Sequence, residues 1–176
     1  MAGSVVAWAD SPRPSEWASW SPTLLSTNAQ IRDSSAEPAD LPELFARSDY
    51  VTLHAPLVAQ TRGLITRELL RSAGPDATLV NLARGGLVSS PDAILEALET
   101  GALSGVGLDV FEPEPPDLGH PLFSHKRVLL SPHALGLTQR SRQRIFEEMS
   151  NGMLAVIRGI RPQAVANPEI YEGVSL

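Results

Sequence analysis

The sequence predicts an α/β fold with a mainly parallel, doubly wound sheet. Two observations lead to this expectation: short apolar runs alternate with amphipathic helical patterns, and the helical patterns are bounded by capping residues. Strands that alternate with helices at this spacing are joined by right-handed crossovers, which make neighbouring strands parallel. The 176 residues are enough for one domain with a substantial core.

The first 40 residues are predicted to hold one strand and a long loop. Residues 4–10 (SVVAWAD) form a short apolar run that ends in a polar residue, which is typical of a buried strand. Residues 11–40 are rich in Ser, Pro and Ala and lack periodicity, which predicts a loop with one short strand or turn. Trp17 and Trp20 in this loop are expected to cover a hydrophobic edge.

From residue 41 the predicted elements alternate regularly. The clearest helix has Ser90 as its N-cap, Pro91 at the first helical position and Gly101 after its end. Helices are predicted over 41–48, 66–73, 90–101 and 138–160. Strands are predicted over 49–57, 77–84, 104–111 and 127–133.

Composition and charge exclude several classes of protein. The net charge is −6 without a block of basic residues, so nucleic acid is not an expected partner. The chain has no cysteine, and the spacing of its four histidines fits no metal-ligand pattern, so we expect no metal site. No apolar stretch approaches the roughly 20 residues of a membrane span, and the N-terminus lacks a signal-peptide pattern. We therefore expect a cytoplasmic protein with no membrane partner.

Three ionisable residues fall at the predicted carboxyl ends of strands, namely Arg84, Asp109 and His133. These ends share one edge of a parallel sheet, which is where open α/β sheets bind ligands. Arg84 is predicted to bind a carboxylate through two parallel hydrogen bonds. Glu114, in the proline-rich loop after Asp109, is predicted to hydrogen-bond His133 and hold it as a charged general acid.

These groups together indicate a reaction. A carboxylate clamp, a proton donor and a dinucleotide-binding type of scaffold predict the reduction of a 2-keto acid by hydride. Negative charge grows on the carbonyl oxygen as the carbon takes up hydride. His133 is expected to deliver a proton there, and Arg84 to polarise the carbonyl.

Four motifs resemble, in order and spacing, those of the D-isomer-specific 2-hydroxyacid dehydrogenases. They are LHAPLVAQTRGLI, LVNLARGGLV, LSGVGLDVFEPEP and LLSPHALGLT. The resemblance implies a Rossmann-like fold and NAD(P)-linked interconversion of a small 2-keto acid and a D-2-hydroxy acid. It implies that Arg84 binds the substrate, that His133 is the acid–base residue and that Glu114 is its carboxylate partner. Further residues are implied to line the cofactor: His54, Pro56, Ala83, Arg84, Asp109, His133 and Gly136.

The choice between NAD and NADP is weakly signalled. Asp10 closes the first apolar run and can hydrogen-bond the ribose hydroxyls, as in NAD-binding proteins. Arg13 follows closely and can instead meet the 2′-phosphate of NADP. NAD is the favoured expectation, with Asp10 in the cofactor site.

The family's glycine-rich turn, G-x-G-x-x-G, has no counterpart in this sequence. We therefore expect a fold truncated at its N-terminus, with residues 1–137 a partial dinucleotide-binding domain and 138–176 a helix and tail that return to a substrate domain. Two interpretations stay open: the chain is part of a longer enzyme, or it is a non-catalytic remnant that binds a nucleotide or a protein. A homodimer is possible, although the family's dimer contacts are expected to be partly missing.

Overall fold

The computed structural model describes residues 5–8, 20–21 and 37–171. It divides the chain into two compact units, Met1–Ala134 and Leu135–Leu176. The division lies three residues before the boundary expected after residue 137. Asp10, Arg13 and Trp17 lie outside the described residues.

The first unit contains a seven-stranded sheet in the order β3-β2-β1-β4-β5-β6-β7. The strands are β1 (Val5–Trp8), β2 (Trp20–Ser21), β3 (Glu37–Pro38), β4 (Tyr50–Leu53), β5 (Thr78–Asn81), β6 (Gly105–Leu108) and β7 (Val128–Leu130). Strands β4 to β7 are parallel to one another, which confirms the predicted α/β class. Strand β1 instead pairs antiparallel with β4. The sequence does not predict this direction, because a run of apolar residues marks a strand without fixing which way it runs.

Three helices of the first unit lie where the sequence places them. They are α1 (Leu41–Arg47), α2 (Arg67–Arg71) and α3 (Pro91–Glu99). Their N-caps are Asp40, Thr66 and Ser90, whose side-chain oxygens each accept a hydrogen bond from a backbone N–H three residues later. A single helical turn, Gly85–Leu87, follows β5, and another, Pro121–Ser124, precedes β7.

The core lies between the sheet and these three helices. Alternate residues of β4, β5 and β6 are buried, as the two-residue period of a strand requires. The apolar ones among them form one cluster with Leu44, Phe45, Leu70, Ile94 and Leu98 of the helices. This packing fixes the carboxyl ends of β5 and β6, and therefore the loops that follow them.

The second unit contains α4 (Gln139–Ile157) and a short turn, Pro168–Tyr171. Thr138 is the N-cap of α4 and accepts a hydrogen bond from the Ser141 N–H at 3.1 Å. The helix ends before Gly159, which adopts the left-handed conformation at φ 67°. No residue of α4 is buried. Among the helices that the structure describes, none is long and apolar enough to cross a membrane.

Candidate functional site

The candidate site lies at the carboxyl edge of the parallel strands in the first unit. Arg84 lies three residues beyond the end of β5, Asp109 directly follows β6, and His133 lies three residues beyond β7. The observed strands end earlier than the sequence predicts, so Arg84 and His133 belong to loops rather than to strand ends. The sheet sets where these loops begin, and hydrogen bonds within them set the positions of the side chains.

Glu114 and His133 are in direct contact. The Oε2 atom of Glu114 lies 2.9 Å from Nδ1 of His133, and Oε1 accepts a hydrogen bond of 2.9 Å from the Phe111 N–H. The hydrogen bond with His133 lowers the pKa of Glu114 most, and the bond from Phe111 lowers this pKa further. The carboxylate is therefore ionised at neutral pH and can only accept, so Nδ1 of His133 carries the proton that is donated. This is the contact that the sequence predicts, and the acid–base role of the pair stays a prediction.

The backbone at His133 is held in an unusual conformation by Asp109. His133 has φ 53°, in the left-handed region that non-glycine residues rarely adopt. The next residue, Ala134, donates its N–H to Oδ1 of Asp109 at 2.9 Å. Asp109 is only 4% exposed. In this structure it therefore orients the loop that carries His133, and its predicted contact with the cofactor stays a prediction.

Asn81 is a site residue that the sequence reasoning missed. It ends β5, is 1% exposed, and its side chain accepts from the Ala83 N–H at 3.1 Å and donates to the Arg84 carbonyl at 2.9 Å. Its own carbonyl accepts from the Asp109 N–H at 3.1 Å. Asn81 thus ties the Arg84 loop to the Asp109 loop. The sequence does carry a signal for this residue. Asn81 falls at a buried position of the predicted strand, and a buried amide needs hydrogen-bond partners.

Arg84 is exposed and lies near Glu114. Its Nη1 atom donates to the carbonyl of Ala83 at 2.6 Å, which leaves other guanidinium N–H groups for an anion. Its charge also contributes to the lowered pKa of Glu114, after the two hydrogen bonds. The charge of Arg84 therefore acts on Glu114, and its role as a carboxylate clamp stays a prediction.

Gly85 and Gly86 begin the helical turn after β5, where other parts of the chain lie close to the backbone. A Cβ atom on Gly85 would lie 2.0 Å from the backbone carbon of Phe111, so Gly85 is needed where two loops of this chain meet. A Cβ on Gly86 would lie 3.0 Å from the Leu57 and Glu112 side chains. In this structure the groups that lie close to the two glycines belong to the chain itself.

The remaining residues that were predicted to line the cofactor make contacts within their own segments of the chain. His54 follows β4, contacts the Thr52 hydroxyl, and has a pKa lowered by partial burial, so its ring is neutral at pH 7. The Pro56 carbonyl accepts from the Thr61 hydroxyl at 2.6 Å. Gly136 belongs to the second unit, where its carbonyl accepts from the Ser141 hydroxyl at 2.6 Å. Asp10 lies outside the described residues.

These residues fit part of a nicotinamide cofactor. The first unit offers a neutral imidazole, the small side chain of Ala83 and the exposed Arg84 at one sheet edge, a mixture suited to the nicotinamide end. The described residues contain no group of three metal-ligating side chains.

Comparison with known proteins identifies the kind of domain. The family described as D-isomer specific 2-hydroxyacid dehydrogenase, NAD binding domain, matches residues 12–134. A glyoxylate reductase of Thermofilum pendens is 40% identical over 133 residues, which are 76% of this chain and 39% of that protein. The chain thus spans about two fifths of the length of the curated relatives that it matches.

Solved structures give the same result. The NAD-complexed D-isomer specific 2-hydroxyacid dehydrogenase of Lactobacillus delbrueckii ssp. bulgaricus has a TM-score of 0.70 and 25% identity, and covers 81% of this chain and 47% of its own. D-lactate dehydrogenase with NAD+ from Lactobacillus jensenii has a TM-score of 0.72 and 25% identity, with 84% and 47% covered. The fold of the chain is therefore that of the nucleotide-binding part of these enzymes.

Proposed function

The chain belongs to the D-isomer-specific 2-hydroxyacid dehydrogenase family, and on this premise we propose that it serves the NAD-linked interconversion of a 2-keto acid and a D-2-hydroxy acid. The observation that carries the proposal is the 2.9 Å contact between Glu114 and His133 beside Arg84, at the carboxyl edge of a parallel sheet. Relatives named glyoxylate reductase favour glyoxylate as the first substrate to test.

His133 is proposed to exchange the proton of the reaction. Its Nδ1 is engaged by Glu114, so Nε2, on the opposite side of the ring, is the atom proposed to face the carbonyl oxygen of a keto acid. In the reductive direction Nε2 gives its proton to the forming hydroxyl, and in the oxidative direction it takes the proton back. The ionised Glu114 stabilises the imidazolium that precedes proton transfer and fixes the plane of the ring.

Arg84 is proposed to bind the substrate carboxylate. A guanidinium keeps its charge at any working pH and presents paired N–H groups that match a carboxylate. The hydrogen bond from Asn81 to the Arg84 carbonyl, at 2.9 Å, holds the backbone from which this side chain extends. The substrate is thereby oriented with its carbonyl towards His133.

The cofactor is proposed to be NAD, with NADP as the alternative. When bound, it supplies or accepts the hydride at the substrate carbon. The NAD-complexed relatives support this choice. In the first unit His54, Pro56 and Ala83 are proposed to line the cofactor, with Asp109 beside the nicotinamide ring and Asp10 at the ribose; the predicted cofactor contact of Gly136, in the second unit, stays a prediction.

The proposal includes a cytoplasmic location, with a homodimer as the assembly to be tested. Sedimentation of the purified chain measures its assembly, and a monomer would remove the homodimer from the proposal.

Calorimetric titration with NADH and NADPH, followed by a glyoxylate turnover assay, tests the function. We expect His133→Ala to lower kcat by about 10²- to 10⁴-fold, the usual contribution of a general acid. His125→Ala is the matched control, because His125 lies outside the site and binds the Arg127 N–H. Arg84→Ala is expected to raise KM and also lower kcat. Near-normal kinetics in both site variants would contradict the proposal.

A second candidate function is a binding module without turnover. It is favoured by one observation, the two-fifths share of the relatives' length that the chain spans. A folded sample that binds NADH but does not reduce glyoxylate supports a nucleotide-binding module. A folded sample that binds neither nucleotide would remove the nucleotide-binding form of this candidate.

A further inference from the structure

A cavity of about 360 Å³ lies in the first unit, between the loops that follow β5 and β6 and the start of α3. Arg84, Glu114 and His133 do not line it, so it is separate from the acid–base pair. Its apolar walls come from Val88, Ile94, Val110, Phe111, Leu122 and Phe123. The volume falls at the lower end of the range for small-molecule sites, about 300–1,000 Å³.

Two aromatic rings form part of the cavity wall. The centroids of Phe111 and Phe123 lie 5.6 Å apart, with their planes at 68° in an edge-to-face arrangement. A third aromatic ring that enters the cavity can pack against this pair in the same edge-to-face or offset way, with a gain beyond simple burial of area. The wall therefore favours a flat aromatic ligand over a flexible aliphatic one.

Most polar side chains that line the cavity already have partners. Both side-chain ends of Asn81 bind backbone groups, and the Ser90 hydroxyl accepts from the Ala93 N–H at 3.1 Å. His120 accepts from the Leu122 N–H and pairs with Asp92, at 3.2 and 3.1 Å. In the part of the chain that the structure describes, the one buried side-chain polar atom without a partner is Nε of Arg127, outside the cavity. A ligand rich in hydrogen-bonding groups would lose water without gaining bonds.

Charge at the rim disfavours anions. Arg62 and Glu112 lie 3.5 Å apart and balance each other, whereas Asp117 adds a further carboxylate to the lining. Glu112 and Asp117 together outnumber the single guanidinium. An acidic ligand would meet this excess of negative charge, although the rim residues are exposed and solvent screens part of the repulsion.

We propose that this cavity binds a neutral aromatic molecule of one or two fused rings. The ring system packs between Ile94 and Leu122 on one side and the Phe111–Phe123 pair on the other. The Phe111 N–H also binds Glu114, so the occupied cavity shares a wall with the loop that supports the acid–base pair. The proposal does not depend on the proposed function.

Nuclear magnetic resonance titration of the purified chain with indole tests the proposal. We expect saturable binding, with a dissociation constant on the order of 0.1–1 mM for a ligand of this size. Shift changes should be concentrated at the methyl groups of Val88, Ile94 and Leu122. Indole-3-acetate, the anionic counterpart, should bind more weakly because of the rim charge, and the difference should shrink as salt is added.

A variant that fills the cavity sharpens the test. Ile94→Phe extends a buried side chain into the space and should weaken indole binding by at least about tenfold. Ile170→Phe, the same change at a position 52% exposed, should leave binding unchanged. Mapping of shifts on the unaltered chain still decides the matter if Ile94→Phe does not fold. The proposal is overturned by unsaturable binding, by shifts centred on Met149 and Met153 of α4, or by equal affinity for the anion.

Discussion

At the residue scale, both carboxylate oxygens of Glu114 accept hydrogen bonds, although the side chain is exposed. These bonds lower the pKa of Glu114 below its ordinary 4.5, mainly through His133. A folded-state pKa below the unfolded one means that this contribution to stability is complete above pH 4.5 and is lost as the pH falls through the lowered value. A ¹³C titration of the Glu114 carboxyl group measures this midpoint.

The variant His133→Phe provides the comparison for that titration. It removes the largest cause of the shift and should move the midpoint of Glu114 upwards, towards 4.5. The bond from Phe111 remains, so we expect the return to be incomplete. A midpoint at or above 4.5 in the unaltered chain would mean that the Glu114–His133 contact does not form in solution.

Asn81 provides a second prediction at this scale. Asn81→Ala leaves the Ala83 N–H and the Arg84 carbonyl without their side-chain partner next to the core, where a lost hydrogen bond costs about 1–3 kcal/mol. We expect the free energy of unfolding in urea to fall by that amount. Asn151→Ala, on the exposed surface of α4, should change it by no more than about 0.5 kcal/mol. Equal effects in the two variants would contradict the structural role of Asn81.

The site residues differ in how visible they are in the sequence. Arg84 and His133 stand out because they closely follow apolar runs, and Glu114 stands out in the proline-rich loop after Asp109. Asp109 stands out too, but its hydrogen bond to Ala134 depends on the left-handed backbone at His133, which no local pattern reports. A sequence shows which groups are chemically capable, whereas the bonds that hold them arise from loops that meet only in the folded chain.

At the scale of elements, the turn after β5 depends on Gly85. A Cβ atom there would lie 2.0 and 2.2 Å from the backbone carbon and oxygen of Phe111, and a backbone cannot move aside as a flexible side chain can. We expect Gly85→Ala to lower the free energy of unfolding by about 1–3 kcal/mol or more, as overpacking does. Thermal and urea unfolding measure the change.

Gly107→Ala is the matched control for that experiment. Gly107 lies in the neighbouring strand β6, and its added Cβ would meet only the Val80 side chain at 3.8 Å, an ordinary contact. We expect its stability to be unchanged or slightly raised, since alanine loses less backbone entropy than glycine. If both variants lose the same stability, the close approach to Phe111 is not the cause.

Helices were more predictable than strands for a physical reason. Asp40, Thr66, Ser90 and Thr138 act locally, through bonds to backbone groups three residues away, so the sequence reveals the helix starts. Strand pairing is not local. The apolar run of β1 predicts a strand, but its antiparallel alignment with β4 depends on which edge is available. Apolar residues also continue beyond the observed strands, so the predicted strands overran into the loops that carry the site.

At the scale of the whole molecule, the candidate site residues and the buried core belong to the same compact unit. Glu114 and His133 lie within Met1–Ala134, as do Asn81 and Asp109. Among the residues whose side chains the structure describes, the buried apolar cluster extends from Ala39 to Leu122. The bonds that orient the candidate site are therefore anchored in one core, and the stability of that core sets how well the site is held.

This arrangement predicts that a chain ending at Ala134 folds by itself. It keeps every buried member of the apolar cluster, β7, and the bond from Ala134 to Asp109. We expect a cooperative urea transition, monitored by circular dichroism. Its free energy of unfolding should lie within about 1 kcal/mol of the value for the full chain. A chain ending at His120 is the control, because it loses buried Leu122 and the edge strand β7 and should not unfold cooperatively. If the chain ending at Ala134 also lacks a cooperative transition, the second unit is needed for the core.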